Sequence, residues 1–91
     1  MTYSIRPTKK FQKDLKRAKR RGYDLSLLRD VIKLLSEGKE LSAKYKDHRL
    51  TGDYEGCREC HITPDWLLIY EIDGNMLILY LTRTGMHSDL F

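Results

Sequence analysis

The chain has 91 residues, 41% hydrophobic and 33% charged, with a net charge of +4 and few Gly or Pro. That is the composition of one small globular domain with a modest core, and no apolar run approaches a membrane-spanning length. The charge is unevenly placed: residues 1–49 carry 15 Lys/Arg against 6 Asp/Glu (+9), and residues 50–91 carry 2 against 7 (−5). Such a split points to a face for a polyanion or an acidic partner, with a merely solvated basic helix as the bland alternative. "MTYSIRPTKKFQKDL" lacks the apolar segment of a signal peptide, so the expected compartment is the cytoplasm, where thiols stay reduced.

In chain order, "TYSIRP" (residues 2–7) alternates and is β-prone, and Pro7 suits an edge strand. Thr8 is a suitable N-cap for the helix "KKFQKDLKRAKRRG". Phe11, Leu15 and Ala18 form its apolar stripe, and Gly22 stops it. Asp14 is its only acid; Lys9, Lys10, Lys13, Lys16, Arg17 and Arg20 are among its bases. Asp24 caps a second helix, "LSLLRDVIKLLSEG", whose apolar face is wide enough to need covering. The two form a helical hairpin.

The second half reads as strands. Residues 40–56 are irregular, with Gly52 and Gly56 as turn signals around one short strand. "CRECHI", the turn "TPD", "WLLIYEI", the hairpin signal "DGN" and "MLILYLT" follow. The expected fold is α+β: a small antiparallel sheet in the order β-α-α-β-β-β, with the helical hairpin packed on one face. One domain over residues 1–91 accounts for the whole chain.

"CRECH" (57–61) has the spacing of covalent haem attachment. In a strand, however, Cys57 and Cys60 point to opposite faces roughly 10 Å apart, too far for a disulfide and badly placed for one haem or one zinc ion. Cys60 is therefore expected in the core, Cys57 as incidental, and no metal or cofactor is expected.

The histidines carry more meaning. His48, His61 and His87 all fall in the second half, with Asp65, Trp66 and Arg83 near strand ends. Each His alone reads more readily as a surface or capping residue; the set is what suggests chemistry. Metal-free RNA cleavage needs a base for the 2′-OH, an acid for the 5′-oxygen and a cation for the phosphoryl oxygens. Imidazole suits both proton transfers, Arg suits the phosphate, and a basic helix supplies backbone attraction. Trp66 and Phe91 offer base-stacking surfaces, while core packing is the better reading of Tyr70 and Tyr80.

From Tyr45 onward, "YKDHRLTGDYEGCRECHITPDWLLIYEI" and "LTRTGMHSDLF" resemble the YafQ branch of the RelE superfamily of bacterial toxins. The resemblance implies a ribosome-dependent mRNA endonuclease, the toxin of a type II toxin–antitoxin pair. Such a toxin cuts mRNA in the ribosomal A site and leaves a 2′,3′-cyclic phosphate. It implies functional roles for His48, His61, Asp65, Trp66, His87 and Phe91, with Arg83 as phosphate contact. On chemical grounds Asp65 is expected to orient an imidazole, as carboxylates do for catalytic His. His87 is then the expected acid, and His48 or His61 the base. It also implies a RelB- or DinJ-like antitoxin as partner, with the ribosome and mRNA as targets and no membrane. Two departures stand out: Met86 where the family often has Ser or Thr, and Asp53 and Glu55 where a Lys would be unsurprising. The competing reading is a non-catalytic module that binds nucleic acid or protein through the basic helix.

Overall fold

The structure, a computed structural model, describes residues 2–91. Its elements are β1 (Ser4–Pro7), α1 (Lys9–Arg20), α2 (Leu25–Ser36), β2 (His48–Arg49), β3 (Arg58–Thr63), β4 (Trp66–Asp73), β5 (Ile78–Gly85) and α3 (His87–Leu90), with 3-10 turns at Ala43–Tyr45 and Gly52–Tyr54. Thr8 caps α1, its side chain accepting from the Phe11 amide, and Asp24 caps α2, accepting from the Ser26 amide. Both caps satisfy helix-end N–H groups that have no partner within the helix.

One five-stranded sheet runs in the order β1-β5-β4-β3-β2. The α+β layering is as expected, but the sheet is mixed: β1 lies parallel to β5, Ile5 opposite Leu79, while the other pairs are antiparallel. Alternation identifies a strand without fixing its neighbour's direction. Here the direction follows from α1, whose cap residue Thr8 donates its backbone N–H to the Leu81 carbonyl and its hydroxyl to that of Thr82. The hairpin turn is longer than "DGN" suggests. Asp73 Oδ1 accepts from the Asn75 and Met76 amides, Leu77 adopts φ 55°, and β5 starts only at Ile78.

Strand alternation sorts the side chains into two clusters. On the helix-covered face, Cys60, Ile62, Trp66, Leu68, Tyr70, Leu79 and Leu81 pack with Phe11, Ala18, Leu28, Val31 and Leu35. On the other face a smaller cluster joins Cys57, Leu67, Ile69 and Leu90, with Leu50 and Tyr54 beside it. Cys57 and Cys60 are thus buried in different clusters, and both are free thiols. Burial pushes the Cys60 thiol up to about 12, so it stays protonated and inert.

Candidate catalytic cleft

The second face carries the candidate site, because register lines up ionisable residues across the strands. His48 opposes Glu59, Glu59 opposes Ile69, and Ile69 opposes Arg83, which makes one row across β2, β3, β4 and β5. The next row runs from His61 through Leu67 to Gly85, where the chain leaves the sheet toward His87.

Glu59 is the centre of the first row and is buried at 6% exposure. Its Oε1 lies 3.5 Å from His48 Nε2 and 3.8 Å from His61 Nε2. Each contact becomes an ion pair when the imidazole carries its second proton. The opposite ring nitrogens are fixed by backbone: His48 Nδ1 donates to the Lys46 carbonyl at 2.8 Å, and His61 Nδ1 faces the Pro64 carbonyl at 3.3 Å. A carbonyl can only accept, so these contacts select the Nδ1–H tautomer and turn both Nε2 atoms to Glu59.

His61, Asp65, His87 and Glu59 line one open cleft of about 470 Å³, closed at its sides by Leu67 and Met86. His48 reaches the group through Glu59. His87 opens the short helix α3, and its ring stacks on Phe91 with centroids 4.8 Å apart and planes 28° apart. Tyr54 meets Phe91 edge-on at 5.5 Å, and its hydroxyl donates to the Leu90 carbonyl. Asp89 anchors α3: it accepts from the Met86 amide and from Arg21 at 2.8 and 3.3 Å. Those donors hold the Asp89 carboxyl below the ordinary carboxylate range, Arg21 contributing most. Gly85 is needed for this approach, since at φ 155° a Cβ would come within 3.1 Å of Asp89 Cβ and Oδ2.

Several expected residues have different surroundings from those anticipated. Trp66, expected to stack on bases, is only 4% exposed. Its indole N–H donates to Thr84 Oγ1 at 2.8 Å and Tyr23 packs on its ring at 5.0 Å, so it is a core pillar beneath Asp65. The reason is parity: Trp66 shares the helix-covered face with Leu68 and Tyr70. Asp65 makes no side-chain hydrogen bond among the described residues; the carbonyls of Lys46 and Pro64 orient His48 and His61. Arg83 spends Nε and Nη2 on Asp14 at 2.6 and 3.1 Å, leaving Nη1 3.4 Å from the Tyr54 hydroxyl. Lys9, Lys10, Lys13, Lys16 and Arg20 are exposed along α1, whereas Arg17 also pairs with Asp14.

Asp14 and Glu59 are the residues that sequence reasoning passed over. Asp14, 4% exposed, accepts from Arg83, from Arg17 and from the Thr84 amide. That amide lies on β5 beyond Leu81, where β1 has ended, so a carboxylate completes the strand edge. Among the described residues no group of three His, Cys, Asp or Glu is arranged to hold a metal ion.

The fold and cleft define a class: a one-domain α+β protein that sets two imidazoles and two carboxylates against one open groove, with a third imidazole behind Glu59, beside a cationic helix. Within that class the chain belongs to the YafQ family, whose model, described as a bacterial toxin of type II toxin–antitoxin system, matches residues 3–91. The chain is 40% identical over 82 residues to the mRNA interferase toxin YafQ of Escherichia coli K12, covering 89% of this chain and 87% of that protein. Among solved structures, a metal-bound toxin from Helicobacter pylori is 46% identical with a TM-score of 0.91, all of both chains being covered. The E. coli DinJ–YafQ toxin–antitoxin complex is 37% identical with a TM-score of 0.90, covering 100% of this chain and 99% of that one.

Proposed function

We propose that this YafQ-family toxin, an endoribonuclease of the mRNA interferase class like its relatives, cuts mRNA on the ribosome by metal-free acid–base catalysis. The observation that carries the reading is the convergence of His61, His87, Asp65 and Glu59 on one cleft, with the Nε2 atoms of His48 and His61 both facing Glu59. An imidazole of the His48–Glu59–His61 group takes the ribose 2′-OH proton, and buried Glu59 stabilises the imidazolium that forms. The 2′-oxygen attacks the adjacent phosphorus and the bond to the 5′-oxygen breaks. His87, held by Phe91 at the other side of the cleft, gives its proton to that leaving oxygen, so the products are a 2′,3′-cyclic phosphate and a free 5′-OH.

Arg83 lies in the same row as His48 and Glu59 and is fixed by Asp14; it stands outside the cleft lining, so as phosphate contact it acts from the cleft's edge. Phe91, 56% exposed, is the stacking surface, and the exposed lysines of α1 with Arg20 supply sequence-independent attraction to RNA. A cytoplasmic setting suits a ribosomal target. An antitoxin of the kind seen with the E. coli relative is the expected inhibitor, since the DinJ–YafQ complex contains a toxin of the same fold.

Primer extension on an mRNA incubated with the protein, with and without translating bacterial ribosomes, tests this beside a His87→Ala control. Cuts in register with codons, present only with ribosomes and absent in the variant, are the expected outcome. Cuts in naked RNA would remove ribosome dependence. Undiminished cutting by His87→Ala would overturn the acid assignment.

A further inference from the structure

Beside the catalytic cleft, and sharing His61 and Pro64 with it, lies a second hollow of about 390 Å³. It is walled by the Ala43–Tyr45 turn, the β3–β4 turn and α2. Lys44 and Lys46 stand on one rim, Leu27 and Asp30 on the other, and Tyr45 forms part of the wall. Lys44 Nζ is 5.0 Å from the Tyr45 ring centroid. Leu27 is 40% exposed although its helix buries Leu28 and Val31, so it presents apolar surface that the fold itself leaves uncovered.

Two features give this hollow a meaning. First, neither Lys nor Arg lines the catalytic cleft, whereas Glu59 and Asp65 do. A polyanion entering that cleft needs cations next to it, and Lys44 and Lys46 line the adjoining wall. Second, the walls hold the catalytic imidazoles. Lys46 takes a left-handed conformation (φ 50°, ψ 41°), and its carbonyl meets His48 Nδ1. Pro64, on the opposite wall, presents its carbonyl to His61 Nδ1.

We propose that the hollow is a nucleotide subsite. It takes one nucleotide flanking the scissile phosphate, with the phosphate on Lys44 and Lys46 and the base against Tyr45 and Leu27. Asp30 keeps the cationic rim one-sided, which fixes the direction of the nucleotide. Because its walls carry the carbonyls that orient His48 and His61, filling the hollow aligns both rings, so nucleotide identity is read in turnover as well as in binding. The inference rests on the RNA-cutting function proposed above.

The test pairs binding with cutting. Binding of a mixed-sequence single-stranded hexaribonucleotide is measured in a His87→Gln background, which keeps the RNA intact. Cutting is measured with His87 present. The variants are Lys44→Ala/Lys46→Asn, where Asn tolerates the left-handed backbone, and Tyr45→Leu, beside a charge-matched Lys33→Ala/Lys39→Ala control. The Lys44/Lys46 pair is expected to weaken binding at least tenfold. It should also flatten the slope of log affinity against log salt by roughly 0.7 for each phosphate that the variant no longer neutralises. Tyr45→Leu is expected to redistribute the cut positions and to lower kcat more than it raises KM. Affinity and salt slope equal to the control's would overturn the subsite whether or not the wild type cuts. So would normal RNA binding with weakened antitoxin binding, which would give the hollow to a protein partner. A wild type that binds through these lysines but cuts nothing would instead defeat the nuclease reading alone.

Discussion

The two faces of the sheet are built from the same strands and do opposite work. On one, Cys60, Leu68, Tyr70, Leu79 and Leu81 are sealed under two helices. On the other, residues one position along the same strands (Glu59, His61, Leu67, Ile69, Arg83) make a thin cluster with an ionisable edge. The 52–57 segment and the short α3 cover only part of that second face, so the edge that holds His48, His61 and His87 stays open. Strand parity therefore separates the main core from the proposed chemistry. A one-residue slip of β3 would exchange Cys60 for Glu59 in the core and lose both.

The strongest way to break that separation is at His87. Replacing it by Gln should slow RNA cutting by about 10²–10⁴-fold. The denaturation midpoint should stay put, because the ring is exposed and held chiefly by stacking on Phe91. Single-turnover cleavage alongside urea unfolding checks both halves, and a large loss of stability would show that the functional face is also structural. Next in size is the mirror experiment, Leu68→Ala, at a fully buried site. It should cost roughly 2–5 kcal/mol in urea unfolding while leaving turnover per folded molecule near wild type. A collapse of turnover in the folded fraction would mean the faces are coupled through β4.

Asp14 sharpens the comparison because it bridges the two faces. It sits on the buried side of α1 yet holds Arg83, whose register places it with His48 and Glu59. Asp14→Asn keeps the size and removes the charge. It should cost roughly 1.5–3 kcal/mol, the range for hydrogen bonds to a charged group, and lower turnover as well. A second-site Arg83→Gln should then add little, since the two share one interaction. Fully additive effects would dissolve the proposed bridge.

How much of this the sequence discloses depends on the range of the interaction that decides each feature. Both long helices and the strands from Arg58 onward are legible, since their periodicity matches their burial. The second helix buries Leu28, Val31 and Leu35 at helical spacing, and its cap Asp24 is read correctly. The parallel pairing of β1 depends on contacts across more than seventy residues, which no local pattern encodes. α3 is too short to show a period. Asp14 looks like a solvated charge in a basic helix because its partner Arg83 is 69 positions away. A signal was nevertheless present: Asp14 lies three residues after Phe11 and four before Ala18, on the buried stripe itself. Glu59 was equally readable, two residues before His61 and therefore on the same strand face. The motif histidines point to the cleft, but Trp66 does not, since its parity with Leu68 and Tyr70 sends it to the core.

The smallest expected effect concerns pH, and it separates the faces by order of release. The Asp89 carboxyl is held below its ordinary range first by Arg21 and then by the Met86 amide. A depressed carboxylate stabilises the fold fully above the ordinary Asp value of about 3.9 and loses that contribution as pH falls through the depressed one. Near neutral pH, then, α3 is anchored to the end of α1. In strong acid the anchor lets go, while the apolar contacts of the helix-covered core do not themselves titrate. Wild type and Asp89→Asn should therefore differ in stability at pH 7 and converge as pH drops below the carboxylate range. Backbone hydrogen exchange followed over the same range should show α3 losing protection before β4 does. A stability difference that persisted unchanged into strong acid would mean that Asp89 acts by shape and not by charge. Simultaneous loss of protection in α3 and β4 would mean that the two faces unfold as one unit.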